Sequence, residues 1–193
     1  MSWLFELNKV HNWAYWENAF TPDECEQIIQ STIENNELKE GMIGGGIFPT
    51  YNPEYRKNNV IFLNTNDNTN WIYERFAQVI TNLNEQYFGF DLYGMTEDLQ
   101  FSQYNTPGEF YDKHLDSSMG TPPRKLTAVL QLSDPKSYDD CELLLHIGEP
   151  PERMPKDQGK IIVFPSYTLH QVTPITRGTR YSLVSWVSGP SFK

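Results

Sequence analysis

Apolar residues recur at helical spacing through the first ninety positions and at strand-like spacing after them. In "FTPDECEQIIQSTIEN", Cys25, Ile28, Ile29, Thr32 and Ile33 fall on one face of a helix. Thr21 is placed to cap it, Pro22 suits its first position, and Glu24 completes a capping box. The spacing predicts an end near Asn36. A second amphipathic pattern fills "NTNWIYERFAQVITNLNEQYFGF", with Ile72, Phe76, Val79, Ile80, Leu83 and Tyr87 on one face. Between the two lies "KEGMIGGGIFPTYNPEYRKNN", rich in Gly and Pro and without periodicity. It reads as a long loop, with residues 41–59, including Gly44, Gly45 and Gly46, as a flexible lid. No Lys-Ser/Thr follows those glycines, so they form no phosphate loop. "VIFLN" is a short strand.

Past about residue 90 the helical period fades. "DLYGM", "DLQFSQY", "KLTAVLQLS", "CELLLHI", "GKIIVFP" and "RYSLVSWV" are short β-rich runs separated by turn-formers such as "NTPGE", "DPKSYDD" and "TPITRGT". The predicted fold class is α+β: a double-stranded β-helix, the cupin-like jelly roll, supported by N-terminal helices. No linker separates the halves, and the helices need the sheet to cover their apolar faces. The expectation is one domain over 1–193, with 1–90 as helical support and 91–193 as the jelly-roll core.

Composition narrows the function. A chain of 193 residues that is 38% hydrophobic and 14% aromatic has material for a real core. A net charge of −10 argues against nucleic acid or an anionic membrane as partner. No apolar run reaches transmembrane length, and the opening "MSWLFELNKVHNWAYWENAF" lacks the features of a secretory signal. Cys25 and Cys141 sit in no C-x-x-C pattern and read as reduced thiols, so the expected location is cytoplasmic.

The candidate chemistry starts at "FYDKHLDSSMG". His114 and Asp116 stand two apart in an extended segment, so both point the same way. His170, in "VFPSYTLHQVTP", follows a buried-looking strand through a Pro-Ser turn. Two histidines and a carboxylate on one face of a metal leave open positions, as in non-haem Fe(II) oxygenases. Zinc accepts the same donors, so the ligands alone do not choose. Arg180 lies ten residues beyond His170 at the start of the next strand. Its planar fork suits a carboxylate, so a diacid could chelate the metal at one end and pair with Arg180 at the other. That diacid would be 2-oxoglutarate. Arg177, just before Gly178, reads as a solvated turn residue. His146 and His11 lack a carboxylate nearby in sequence and read as structural.

"HLD" followed by "LHQVTPITRGTRYSLVSW" resembles the prolyl-hydroxylase-type branch of the Fe(II)/2-oxoglutarate dioxygenases, and especially the small PKHD-type hydroxylases of bacteria and phages. "QYNTPGEFYDKHLD" adds Tyr104, Gly108 and Tyr111 to the match, which runs from about Leu99 to Pro190. The chain departs where relatives often carry Gly-Gly-Glu-Leu and it has Asp140-Cys141-Glu142-Leu143. It also has Trp186, where the nucleobase-repair branch carries a second arginine.

The resemblance implies an Fe(II)- and 2-oxoglutarate-dependent dioxygenase held by His114, Asp116 and His170, with O2 as oxidant and ascorbate as a reductant. Arg180 and Tyr104 would bind the co-substrate, with Thr127 and Gln131 as further donors. Tyr111 and Trp186 would line the substrate side, with 41–59 and Ser117 to Arg124 flanking it. The implied product is a hydroxylated prolyl residue in a peptide or protein, with succinate and CO2. The alternatives are a free amino acid or other small molecule as substrate, or a non-catalytic jelly-roll module that binds a metal or ligand.

Overall fold

The structure is a computed structural model and describes residues 10–44, 49–105, 107–117 and 122–191. From the N-terminus, β1 (Ala14–Trp16) precedes α1 (Pro22–Asn35), then β2 (Lys39–Glu40), β3 (Arg56–Lys57) and β4 (Asn59–Leu63). Helix α2 (Asn70–Leu83) runs into a π-helical turn over Asn84–Phe88, closed by Gly89 at φ 65°. Strands β5 (Gly94–Met95), β6 (Leu99–Asn105), β7 (Phe110–His114) and β8 (Arg124–Gln131) follow. Next come β9 (Asp139–Asp140), β10 (Leu143–Leu145) and β11 (Glu152–Arg153), and then β12 (Ile161–Pro165), β13 (His170–Val172), β14 (Ile175–Arg177) and β15 (Thr179–Ser188).

The larger sheet has the order β1-β12-β8-β15-β6-β4-β2, with β5 also on β15; the smaller is β11-β10-β13-β7-β3. Strand alternation explains what each covers. Leu99 and Phe101 of β6, Leu126, Ala128 and Leu130 of β8, and Leu183 and Val187 of β15 join the core shared with α1 and α2. The intervening Gln100, Ser102, Tyr104, Thr127, Val129, Arg180, Ser182, Val184 and Trp186 line a cavity on the opposite face. Because both faces of β6, β8 and β12 are covered, these strands read as continuous runs rather than as an alternation.

Helix α1 begins as expected: the Thr21 hydroxyl accepts from Glu24 N–H, and Glu24 accepts from Thr21 N–H. The α+β jelly roll is present, and the residues before 91 contribute more than helices. Strands β1, β2 and β4 extend the larger sheet, and β3 extends the smaller. Segments of two or three residues cannot show a period, which is why the sequence pattern missed β1, β2 and β3. The stretch read as a free loop is tied at one end to β4 and at the other to β7, and Ile43 bridges Thr50. Gly45 and Gly46 of the expected lid lie outside the described residues, as do 118–121 of the expected substrate-flanking segment.

Candidate active site

His114 closes β7, and His170 opens β13 directly opposite it. Their ring centroids are 4.1 Å apart. The pairing His170↔His114 is followed by Val172↔Tyr111, so β7 has one residue more than its partner, a bulge. The bulge puts Tyr111 and His114 on one side despite their odd spacing, and their rings stack at 3.6 Å and 15°. Asp116 stands beyond the strand's end. Its own N–H and that of Ser117 donate to Ser166 O at 3.0 and 2.8 Å, which tethers this turn to the one before β13. The pleat assumed from the sequence is therefore replaced by a bulge and a tether, with the same convergence.

Asp116 Oδ1 lies 3.7 Å from His114 Nε2, and Oδ2 lies 3.4 Å from His170 Nε2. One ligand atom from each residue lies within 4.8 Å of the others. His114 Nδ1 is 2.7 Å from Asp112 O, and His170 Nδ1 is 2.9 Å from Thr168 O. Donation from Nδ1 to a carbonyl leaves Nε2 as the lone-pair nitrogen of both rings. Burial, then His170 beside it, holds the His114 imidazole down at about 4. Burial pushes the Asp116 carboxyl up, but His170 and His114 outweigh it and hold it below the usual range. At neutral pH His114 offers a neutral imidazole and Asp116 a carboxylate, donors of the kind a divalent cation requires.

Arg180, on β15, is 2% exposed. Nη2 donates to Gln131 Oε1 at 2.8 Å, while the buried Nη1 has no hydrogen-bond partner. Tyr138 and Cys141 are its polar neighbours, and the Tyr104 ring centroid is 5.7 Å from Cζ. A buried guanidinium with an unused donor facing a cavity fits a carboxylate that enters with a ligand. Tyr104, opposite Arg180 in the sheet register, is buried, and burial pushes its phenol well above the usual range. It therefore stays protonated and able to donate.

Thr127 and Gln131 stand behind the residues they were expected to join. Thr127 Oγ1 donates to Asp116 Oδ2 at 2.9 Å and sits 3.0 Å from Ser166 Oγ. Gln131 holds Arg180 and donates from Nε2 to Pro155 O at 3.1 Å. Their polar atoms are already engaged with the site's own side chains. Trp186 lines the cavity beneath Arg124, whose Cζ is 3.8 Å from the ring. Arg124 is paired bidentately with Glu97. Arg177 pairs with Asp139 in the open, His146 meets Gln171 at 2.9 Å, and His11 packs edge-on to Tyr87. Asp140 and Cys141 occupy left-handed backbone at φ 58° and 51°, so the turn that glycine favours is kept without glycine.

One cavity of about 700 Å³ joins Arg180 to the His-Asp-His cluster and opens past Met42, Phe62 and Leu115. The sequence singled out neither Ser166 nor Arg56: Ser166 stands within the quoted run before His170, and Arg56 lay in the presumed loop, while Arg124 closes the segment expected to flank the substrate.

A jelly roll whose two sheets bring two histidines, a carboxylate and a buried arginine into one cavity is the framework of a mononuclear metal oxygenase. The family model for the 2OG-Fe(II) oxygenase superfamily matches residues 99–188. A PKHD-type hydroxylase of Prochlorococcus marinus is 30% identical over 171 residues, 86% of this chain and 73% of the relative. Other PKHD-type hydroxylases are matched over 41% of their own length. A Pseudomonas putida prolyl-4-hydroxylase superposes with TM-score 0.74 at 20% identity, covering 94% of each chain. A Trichoplax adhaerens prolyl hydroxylase, solved with a hypoxia-inducible-factor peptide fragment, gives TM-score 0.76 at 14% identity, covering 92% of this chain and 84% of that one. The chain belongs to the 2OG-Fe(II) oxygenases, in their prolyl-hydroxylase-like group. Membership implies Fe(II), 2-oxoglutarate and O2, and the His-Asp-His cluster fits the metal.

Proposed function

We propose that the chain hydroxylates an unactivated C–H bond, most simply that of a prolyl residue in a peptide or protein. The observation that carries this reading is the joining of the three-residue cluster to an unsatisfied Arg180 in one cavity. His114, Asp116 and His170 would hold Fe(II), and Arg180 would hold the distal carboxylate of 2-oxoglutarate. When bound, iron supplies the O2 chemistry: one oxygen atom enters the new alcohol and the other enters succinate, with release of CO2. Tyr104 donates to the co-substrate, Gln131 keeps the guanidinium in place, and Thr127 fixes the Asp116 carboxylate. Tyr111 and Trp186 wall the substrate side and exclude water. Ascorbate is the proposed reductant.

The prolyl substrate is supported by the prolyl hydroxylases among the neighbours, one of them in complex with a peptide. The reading treats 1–193 as one working unit and includes a cytoplasmic location, which the two free, buried cysteines suit. No described helix is long and apolar enough to cross a membrane. The test is succinate release on adding Fe(II), 2-oxoglutarate and a proline-containing peptide panel under air, with Asp116→Ala as control. Succinate from wild type alone is expected, with a product heavier by about one oxygen atom, 16 Da. Silence from both proteins across peptide and amino-acid panels would leave the non-catalytic binding module as the better description.

A further inference from the structure

The chain has six arginines. Four meet a carboxylate: Arg75 with Glu24, Arg124 with Glu97, Arg153 with Glu142 and Arg177 with Asp139. The two that meet none among the described residues, Arg56 and Arg180, line the same cavity. Arg180 is accounted for by the co-substrate. Arg56 is not.

Arg56 is 6% exposed and opens β3, opposite Tyr111 of β7. Its partners are all neutral. Nε donates to Asn58 Oδ1 at 2.7 Å, Nη1 to Met42 O at 2.8 Å and Nη2 to Gln100 Oε1 at 3.3 Å. A guanidinium has five N–H donors, so two remain beyond these three bonds, and the Tyr111 hydroxyl is a further partner within their reach. The group is held rigidly. A Cβ on Gly41 would come 2.6 Å from Nε and 2.2 Å from Asn58 Oδ1, so a larger residue there would displace the Arg56–Asn58 pair. Cζ lies 4.5 Å from the Tyr111 centroid, and that ring stacks on His114. The cation therefore stands one aromatic ring from the metal cluster, with Met42, Val60 and Phe62 as apolar wall beside it.

Burying a guanidinium without a counter-charge is costly, and such groups are retained where an incoming anion completes them. The charge balance agrees. With a divalent metal and a dianionic co-substrate in place, the buried Asp116, Arg56 and Arg180 leave one positive charge in excess at the inner end of the cavity; the Arg124–Glu97 pair cancels itself, and the exposed Glu37, Lys39 and Glu40 carry one net negative charge at its rim. We propose that Arg56 receives a carboxylate of the substrate, so the oxidised C–H bond belongs to an acid-bearing compound. This rests on the oxygenase reading and narrows it. The carboxylate can be that of a free imino or amino acid, a peptide C-terminus, or an acidic side chain next to the reacting residue.

Matched acid and amide probes test this on protein loaded with Mn(II) and 2-oxoglutarate under nitrogen. The pairs are L-proline with L-prolinamide, acetyl-Gly-Pro as acid and amide, and acetyl-Glu-Pro-Gly-amide with its Gln counterpart. Binding is read from the broadening of probe proton signals by Mn(II). In at least one pair the acid should bind wild type about tenfold tighter or more, as a buried charge-assisted bond requires, and that pair identifies the carboxylate's source. Arg56→Gln should bring the ratio near one while leaving 2-oxoglutarate affinity within about threefold. Arg56→Lys should restore part of the preference. No acid preference in wild type, which needs no variant to fold, overturns the proposal. So does a preference that survives Arg56→Gln, or a loss that falls on 2-oxoglutarate instead. Acid-selective binding without succinate under air with Fe(II) supports Arg56 and counts against the hydroxylase reading. Succinate from amide and acid probes alike does the reverse.

Discussion

Arg180→Ala removes a cavity-lining guanidinium whose buried Nη1 has no hydrogen-bond partner. The expected result is a rise in the 2-oxoglutarate KM of about 30-fold or more, in line with losing a buried charge-assisted bond, with Mn(II) affinity unchanged in a titration. Equal loss of both would make Arg180 structural. Thr127→Val keeps the shape but removes the donor to Asp116 Oδ2. Metal affinity should fall about 10- to 100-fold, while a melting curve moves little. The four residues that the motifs singled out, His114, Asp116, His170 and Arg180, were legible because donor type and spacing carry their chemistry. Thr127 and Gln131 were legible only as polar residues on the right strand face. Whether such a group meets a ligand or another side chain depends on depth in the cavity, and a one-dimensional pattern holds no depth.

Among the elements, α1 was the most legible, because its capping box and its apolar face are both local signals. Thr21→Ala should cost about 1 kcal/mol, measured by urea denaturation. The Thr21 N–H, chiefly, with Arg75 adding to it, holds the Glu24 carboxyl below its usual range. A depressed carboxyl contributes stability above its unfolded pKa, about 4.3, and loses it as pH falls through the folded value. The stability gap between wild type and Glu24→Gln should therefore be present at pH 6 and shrink toward pH 3. Glu24 is only partly buried, so the effect is modest. Strands β2 and β3 were illegible. They exist because β4 and β7 offer edges to pair with, and they carry Arg56 to the cavity.

In the whole molecule, one large sheet separates two environments: helices and aliphatic side chains on one face, the cavity on the other. The smaller sheet supplies His114 and His170 and the larger supplies Arg180, so metal and co-substrate together tie the two sheets. Mn(II) at about 100 times its Kd should stabilise the fold by about 2.7 kcal/mol, seen as a raised Tm, and 2-oxoglutarate should raise it further. Chelator should reverse it, and His170→Ala should show no metal-dependent gain. The sequence by itself determined the helices, the principal strands, the class of fold and the identity of the metal cluster, since periodicity and donor chemistry are properties of local pattern. Only the tertiary structure decided the bulge that turns His114 onto the Tyr111 side, the placement of Thr127 and Gln131 behind the site, and the arrival of Arg56 beside it. Those depend on strand register and on contacts between residues far apart in the chain, which the fold sets after the local pattern has done its part.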